Sequence, residues 1–159
     1  MNKKIIKIIG TRYPLIRAPK NWLINIELVV TVSNSGGLGI LEPNAGQREA
    51  YSPVTYQKFR EEIQKTKFIT DKNFGINILL PINPFSEALL NAAIDEGVRY
   101  FATVGDVDSI VFKKIKENNG VIIHRPLNPN SENMREVESL GVDLLVATGY
   151  DEGGIIPRQ

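Results

Sequence analysis

The sequence predicts an α/β fold in which parallel strands alternate with helices. The main observation is a repeat of glycines that each precede a short apolar strand, at Gly75, Gly97, Gly120 and Gly141. Their spacings of 22, 23 and 21 residues leave room in each unit for one strand, one helix and two loops. Strands separated in this way are expected to pair in parallel, because a helical crossover joins them instead of a hairpin.

Amphipathic helices are expected between these strands, so that both faces of the sheet are covered. The helices are predicted over residues 86–96, 107–118 and 130–140, and the strands over residues 76–80, 98–102, 121–123 and 142–146. A βα repeat of this period fits a (β/α)₈ barrel and an open doubly wound sheet, and the pattern alone favours neither strongly.

Two further strands are predicted nearer the amino terminus, which brings the total to six. Residues 1–12 are expected to form a short strand or helix that closes one end of the fold. The first strand covers residues 14–18 and ends at Pro19, because proline cannot donate to a strand ladder. A helix capped by Asn25 then leads into the second strand, over residues 38–41.

The corner before that second strand is rich in glycine. Gly36 and Gly37 are predicted to stop the helix, since glycine adopts the left-handed conformation without a steric penalty. Gly39 lies within the strand, where a missing side chain indicates that another backbone or a flat ligand comes close. A polar loop follows, and Ser52 and Pro53 are expected to open the next helix.

Composition is that of a small globular protein, expected to be a single domain over residues 1–159. A net charge of +1 gives no electrostatic reason to expect nucleic acid or an anionic membrane as a partner. No apolar run approaches the roughly 18 residues that a membrane span requires. The sequence contains no cysteine, which excludes disulfides and thiolate metal sites. A cytoplasmic protein is expected.

Five motifs occur in order along the chain. They are Y-P-L-I-R-A-P-K-N-W at 13–22, S-G-G-L-G-I-L at 35–41, P-N-A-G-Q at 43–47, F-G-I-N-I at 74–78 and V-A-T-G-Y-D-E-G-G at 146–154. Together they closely resemble the nitronate monooxygenase family, flavin enzymes once called 2-nitropropane dioxygenases, which include flavin-dependent enoyl-acyl-carrier-protein reductases. The resemblance implies a (β/α)₈ barrel, FMN as cofactor, and oxidation of alkyl nitronates with O₂ to a carbonyl compound and nitrite.

Six strands are two fewer than such a barrel needs, so an incomplete TIM barrel is expected. The loops after strands seven and eight, which frequently build the phosphate site of these barrels, have no counterpart in the 159 residues. A truncated gene product, an expressed fragment, or a chain completed by a partner would each explain this. Two exposed sheet edges predict a homo-oligomer or aggregation, with weak FMN binding.

The resemblance places flavin-binding residues at the carboxyl ends of the strands. Ala18, Pro19 and Lys20 stand where the family has alanine-proline-methionine against the flavin ring, with Lys20 replacing the methionine. Asn77 is a polar residue in an apolar strand and is expected at the ring edge, because an unsatisfied buried amide costs about 1–3 kcal/mol. Thr103 is expected near the substrate end of the flavin. The alternatives are a solvated lysine and an asparagine bonded to neighbouring backbone.

His124, the single histidine, directly follows the fifth predicted strand and is the candidate catalytic residue. In the family fold this position faces the cofactor mouth, and histidine is the side chain whose ordinary pKa lies near neutrality. The alternative is a structural histidine at a strand end. The acidic residues Asp106 and Asp108 are interpreted as caps of the following helix.

Gly153 and Gly154 are expected to let the backbone approach a phosphate or a ring closely. Most members of the family have a histidine next, the proposed general base that deprotonates nitroalkanes, but this chain has Ile155. Isoleucine cannot accept a proton, so base catalysis from this position is excluded. A nitronate is already an anion and does not need that step. Three hypotheses therefore stand: a nitronate oxidase, a flavin-dependent enoyl thioester reductase, and a non-catalytic remnant that binds no FMN.

Overall fold

A computed structural model of the chain describes residues 3–18, 25–43, 53–81, 84–127 and 129–148. Helices and strands alternate through these residues. The strands are β1 (Ile16–Arg17), β2 (Leu38–Leu41), β3 (Phe74–Leu79), β4 (Tyr100–Val104), β5 (Val121–Arg125) and β6 (Leu144–Leu145). The helices are α1 (Lys3–Ile9), α2 (Ile26–Asn34), α3 (Pro53–Ile69), α4 (Pro84–Asp95), α5 (Ser109–Glu117) and α6 (Ser131–Ser139).

The strands of the described residues form one parallel sheet in sequence order, β1 to β6. Each strand pairs with its successor through a helical crossover, as the glycine repeat predicts. A doubly wound sheet would reverse its strand order at a switch point, whereas the order here is that of a barrel. The prediction of a TIM-barrel-type α/β fold with six βα units is confirmed, and the sheet curls as a half-barrel.

Alternate strand residues face two separate hydrophobic clusters. The outer cluster packs the strands against the helices, with Phe101 and Ile122 beside Phe112 and Ile115 of α5. The inner cluster fills the concave side, and its buried members are Ile9, Leu38, Ile40, Tyr100, Ala102, Val121 and Ile123. A side chain at the carboxyl end of a strand therefore points either under the helices or into the barrel interior.

Helix α1 closes the amino-terminal end of the barrel interior. Its last residue, Ile9, is fully buried in the inner cluster. Nδ2 of Asn73 donates to the carbonyl of Gly10 over 2.8 Å and contacts the hydroxyl of Tyr100 at 3.1 Å, which ties the end of α1 to the sheet. The expectation that residues 1–12 close one end is confirmed, and the element is a helix.

The glycine repeat has two structural origins. Gly97 and Gly141 have φ values of +70° and +77°, so they are the left-handed residues that end helices. Before β5 that conformation belongs to Asn119, with φ +58°, and not to Gly120. Gly75 lies inside β3, where an added Cβ would come within 2.8 Å of the carbonyl oxygen of Tyr100. The repeat predicts the fold correctly although its glycines serve different purposes.

The close approach predicted at Gly39 is made by a helix backbone. A Cβ at this position would lie 2.4 Å from the carbonyl oxygen of Val29 in α2. Ser33 of the same helix accepts a hydrogen bond from the Gly39 amide over 3.3 Å. Of the two alternatives, backbone or flat ligand, tight packing of α2 on β2 is the one observed.

Several element boundaries differ from the predicted ones. The two edge strands are shorter than expected, with two residues each in place of residues 14–18 and 142–146. An edge strand pairs on one side only, so fewer of its residues meet a partner. Strand β4 begins at Tyr100 instead of residue 98. Of the two predicted caps of α5, Asp106 and Asp108, it is Asp108 that forms the N-cap, and its carboxylate accepts from the amides of Ile110 and Val111 at 3.1 Å.

Candidate functional site

One layer of the barrel interior contains two polar residues, Glu42 and Asn77, which are called the polar pair below. The strand register places Asn77 beside Ala102, and Ala102 beside Ile123. Glu42 directly follows β2 and lies next to Asn77, because Leu41 pairs with the preceding residue of β3. Glu42 thus follows the carboxyl end of β2, and Asn77 lies in the carboxyl half of β3, on the side of the sheet where parallel α/β barrels place their functional groups.

The side-chain amide of Asn77 has one hydrogen-bonded atom, Nδ2, and one atom without a hydrogen-bond partner, Oδ1. It is 3% exposed, and its Nδ2 donates to Oε2 of Glu42 over 3.0 Å. Its Oδ1 is buried and has no hydrogen-bond partner. A buried acceptor left in this state costs about 1–3 kcal/mol, and Oδ1 is free to accept a hydrogen bond that the described residues do not supply.

Glu42 is a buried carboxyl group, 1% exposed. Burial raises its pKa to about 7, and the hydrogen bond from Asn77 opposes that rise. Within the described parts of the chain Glu42 forms no ion pair. A carboxyl group with a pKa near neutrality is able to hold or release a proton under ordinary conditions.

The layers of side chains on either side of the polar pair differ in their exposure and their chemical character. The layer toward the amino ends contains Ile40, Tyr100 and Val121 and forms an apolar floor. The layer toward the carboxyl ends contains Leu79, Val104 and Arg125, which are half-buried. A ligand that reaches Asn77 would therefore enter from the carboxyl ends and rest on apolar side chains.

Glu42 was not predicted from the sequence. The available signal was an acidic residue directly after an apolar strand, which is the carboxyl end of that strand in a parallel sheet. Because Pro43 follows Glu42, the sequence at this point indicates a turn more strongly than a functional carboxylate.

The predicted orientation of His124 toward the cofactor mouth is wrong. His124 is two residues after Ile122, a member of the outer cluster, so both side chains lie on the helix-facing side of β5. The imidazole packs edge-on against Phe112 of α5, with ring centroids 5.2 Å apart. Burial lowers the pKa of His124 to about 4, and its Nε2 has no partner. This placement favours the structural alternative.

Thr103 also faces the helices, so its side chain is not directed toward the predicted flavin position. Its Oγ1 lies 3.0 Å from Nδ1 of His124, and both residues are fully buried. Strands β4 and β5 pair these two residues directly. The pair closes a polar contact beneath α5, away from Glu42 and Asn77.

Ala18 is the other predicted site residue that the structure describes. It follows β1, at the same end of the sheet as Asn77, and is exposed. Its carbonyl oxygen accepts a hydrogen bond from the Arg17 guanidinium. The remaining predicted residues, Pro19, Lys20, Gly153 and Gly154, lie outside the described residues, as does Ile155.

The described residues contain no group of three or more His, Cys, Asp or Glu side chains arranged to hold a metal ion. Among their helices, none has both the length and the apolar character needed to cross a membrane.

Comparison with known protein families gives one match over nearly the whole chain. The model of the nitronate monooxygenase family matches residues 2–159. A Rhodococcus jostii protein, (3aS,4S,5R,7aS)-5-hydroxy-7a-methyl-1-oxo-octahydro-1H-indene-4-carboxyl-CoA dehydrogenase, is 28% identical over 150 residues, covering 94% of this chain and 39% of the relative. A probable nitronate monooxygenase of Staphylococcus haemolyticus is 36% identical over 80 residues, covering 50% of this chain and 20% of the relative.

Solved structures resemble this fold closely. FabK from Thermotoga maritima superposes with a TM-score of 0.84 at 25% identity, over 99% of this chain and 47% of that one. A nitroalkane oxidase from Streptomyces ansochromogenes gives a TM-score of 0.70 at 19% identity, over 86% of this chain and 46% of that one, and this likeness concerns the fold alone. The chain thus spans half or less of the length of these proteins.

Proposed function

Because this chain belongs to the nitronate monooxygenase family, we propose that it forms the flavin-binding part of an FMN-dependent oxidoreductase. The observation that carries the proposal is the Asn77 amide, buried in the carboxyl half of β3 with an unpartnered Oδ1. A flavin ring edge alternates donors and acceptors, so it fits such an amide. FMN, when bound, supplies the electron-transfer chemistry that amino-acid side chains lack.

The chain's own residues would bind the ring and shield it from water. Asn77 would contact the ring edge, and the backbone after β1, at Ala18 and Pro19, would approach the ring from the neighbouring strand. The apolar floor of Ile40 and Tyr100 excludes water from beneath the site. Gly153 and Gly154 would allow close backbone approach to the cofactor.

An alkyl nitronate is the substrate that suits this chain, with O₂ as oxidant and a carbonyl compound and nitrite as products. Ile155 stands where most of the family has the proposed base, so a neutral nitroalkane would find no proton acceptor at this position. The nitronate anion needs none. His124 is not included as a catalytic residue because its ring is packed under α5.

The proposal predicts that replacing Asn77 with leucine weakens FMN binding. We expect a loss of about tenfold or more in affinity, since the leucine removes the side-chain hydrogen bond that Asn77 would make with the ring edge. The measurement is a fluorescence titration of FMN, with the visible absorption spectrum of the purified protein as a first check.

Asn73→Leu is the matched control for Asn77→Leu. Asn73 is also a hydrogen-bonded asparagine at a strand of the same sheet, but it contacts Gly10 and Tyr100 at the amino-terminal end. It should change stability and leave FMN affinity unaltered. Unchanged affinity in Asn77→Leu would contradict the assignment, and a wild-type protein without flavin binding would favour the non-catalytic remnant.

A thioester substrate is the second candidate, and the relatives support it. The Rhodococcus protein is named as a dehydrogenase of a carboxyl-CoA compound, and the sequence motifs also resemble those of flavin-dependent enoyl-acyl-carrier-protein reductases. Two assays separate the candidates. Nitrite release from a nitronate under O₂ supports the first, and nicotinamide oxidation with a 2-enoyl thioester supports the second.

A further inference from the structure

The Asn77 amide is asymmetric, so its orientation decides what it offers a ligand. Its Nδ2 is a donor and its Oδ1 is an acceptor. An ionised carboxylate only accepts hydrogen bonds, and Glu42 Oε2 accepts from Asn77 Nδ2 over 3.0 Å. This bond directs the amide nitrogen toward β2 and leaves the oxygen bare. The carboxylate therefore determines which end of the amide is available.

Among the residues that the structure describes, the groups around Glu42 and Asn77 give no other reason for this orientation. In the same layer the neighbours are Ala102 and Ile123, which are apolar. In the layer below, the hydroxyl of Tyr100 is engaged by Asn73 at 3.1 Å. The charged side chain facing the interior from β5, Arg125, belongs to the layer above. Among the described residues, Glu42 is the hydrogen-bond partner of the amide.

We propose that Glu42 is a positioning residue that holds the carbonyl oxygen of Asn77 toward the bound ligand, so that the site selects a ring carrying an N–H donor. This inference rests on the proposed function, in which the ring is that of FMN. Oxidised flavin has such a donor in its imide group. A protonated Glu42 could instead donate to Oδ1 and turn the amide around, which would present the wrong group to that donor.

The first test observes the amide without any flavin. Heteronuclear NMR of isotope-labelled protein at about pH 8.5, where Glu42 is ionised, reports the side-chain NH₂ of Asn77, identified by its loss in Asn77→Asp. In the wild type we expect one downfield, exchange-protected proton. Glu42→Leu should abolish this signature, and Glu42→Gln, which retains an acceptor oxygen, should restore part of it.

The second test measures the FMN dissociation constant of the same variants by fluorescence. Glu42→Leu is expected to weaken binding about three- to tenfold, with Glu42→Gln intermediate. Glu62→Leu is the matched control, because the Glu62 carboxyl on α3 is also partly buried, with a pKa that burial raises to about 7. It should leave both the Asn77 signals and the FMN affinity unchanged.

The outcomes separate this inference from the proposed function. Unaltered Asn77 signals in Glu42→Leu overturn the inference alone, as does an unaltered FMN affinity in a variant whose signals have changed. A wild-type protein that binds no FMN overturns the proposed function, and the positioning role toward flavin with it. Circular dichroism of each variant confirms that it is folded before either readout is used.

Discussion

Glu42 is a single residue that makes stability depend on pH. Its pKa is about 7 in the folded protein and close to 4.5 when exposed, so the folded state binds a proton more tightly. That contribution is fully present below about pH 4.5 and is lost as pH rises through about 7. Relative to Glu42→Gln, the wild type should lose up to about 3 kcal/mol of unfolding free energy across this window. Urea denaturation at a series of pH values measures the difference, and a flat difference would contradict a buried Glu42.

His124 is expected to have the opposite effect. Burial lowers its pKa to about 4 from 6.5, so the unfolded chain takes up a proton before the folded protein does. Stability is therefore lost as pH falls from about 6.5 to about 4. In His124→Phe, whose ring can still pack on Phe112, that acid loss should disappear. Wild-type acid sensitivity in this variant would assign the slope to another group.

Glu42 and His124 change the unfolding free energy with pH in opposite directions, so variants are needed to measure each contribution separately. Between about pH 4.5 and 6.5, Glu42 loses stabilisation as pH rises and His124 regains it. The contributions of these two residues largely cancel in this range, and Glu62, whose pKa burial also raises to about 7, adds a further loss as pH rises. Only the paired substitutions separate a buried acid inside the barrel from a buried base beneath the helices.

At the scale of elements, the contact of α2 with β2 depends on Gly39. A methyl group there would lie 2.4 Å from the Val29 carbonyl oxygen, a backbone atom that cannot turn aside. Gly39→Ala should therefore destabilise the protein by about 1–3 kcal/mol, the usual cost of overpacking. Thermal unfolding measures this, and an unchanged Tm would show that α2 does not pack as described.

Elements also differ in how well the sequence predicts them. Helix α5 lies within two residues of its predicted bounds, because Asp108 is a strong capping residue and the apolar stripe is regular. The edge strands β1 and β6 were predicted too long. Their apolar runs continue beyond the residues that pair with a neighbouring strand. Strand length depends on both of the segments that pair, so it cannot be predicted from the sequence of one segment alone.

At the scale of the whole molecule, the edges of the sheet predict association of this 159-residue polypeptide. Leu15, beside β1, is 54% exposed, and Leu145, in β6, is 36% exposed. Among the described residues β1 and β6 each pair with one neighbouring strand, and strand edges with exposed apolar side chains favour self-association. We expect a homo-oligomer or aggregate in light scattering, with substoichiometric FMN.

Leu145→Lys tests the origin of that association. A lysine on an edge strand disfavours edge-to-edge pairing and should therefore shift the protein toward monomer. The fold should tolerate this change because the Leu145 side chain is already partly exposed. Its circular dichroism should match the wild type. A wild-type monomer that retains one FMN per chain would contradict the prediction.

The order of strands and helices was determined by the sequence itself. Glycine spacing, helix caps and apolar periodicity are local, and a parallel βα chain with short loops has few ways to fold. The motifs around Gly36 and Asn77 were also sufficient to predict the family. None of these inferences required knowledge of which residue contacts which.

Only the tertiary structure decided the direction of each side chain at the strand ends. Successive residues of a strand face opposite sides, so an error of one residue in register exchanges interior for exterior. His124 and Thr103 were therefore assigned to the interior although they lie beneath α5. Glu42, which sequence reasoning passed over, was brought to Asn77 by the pairing of β2 with β3. The polar pair of the site exists because two strands distant in sequence align at their carboxyl ends.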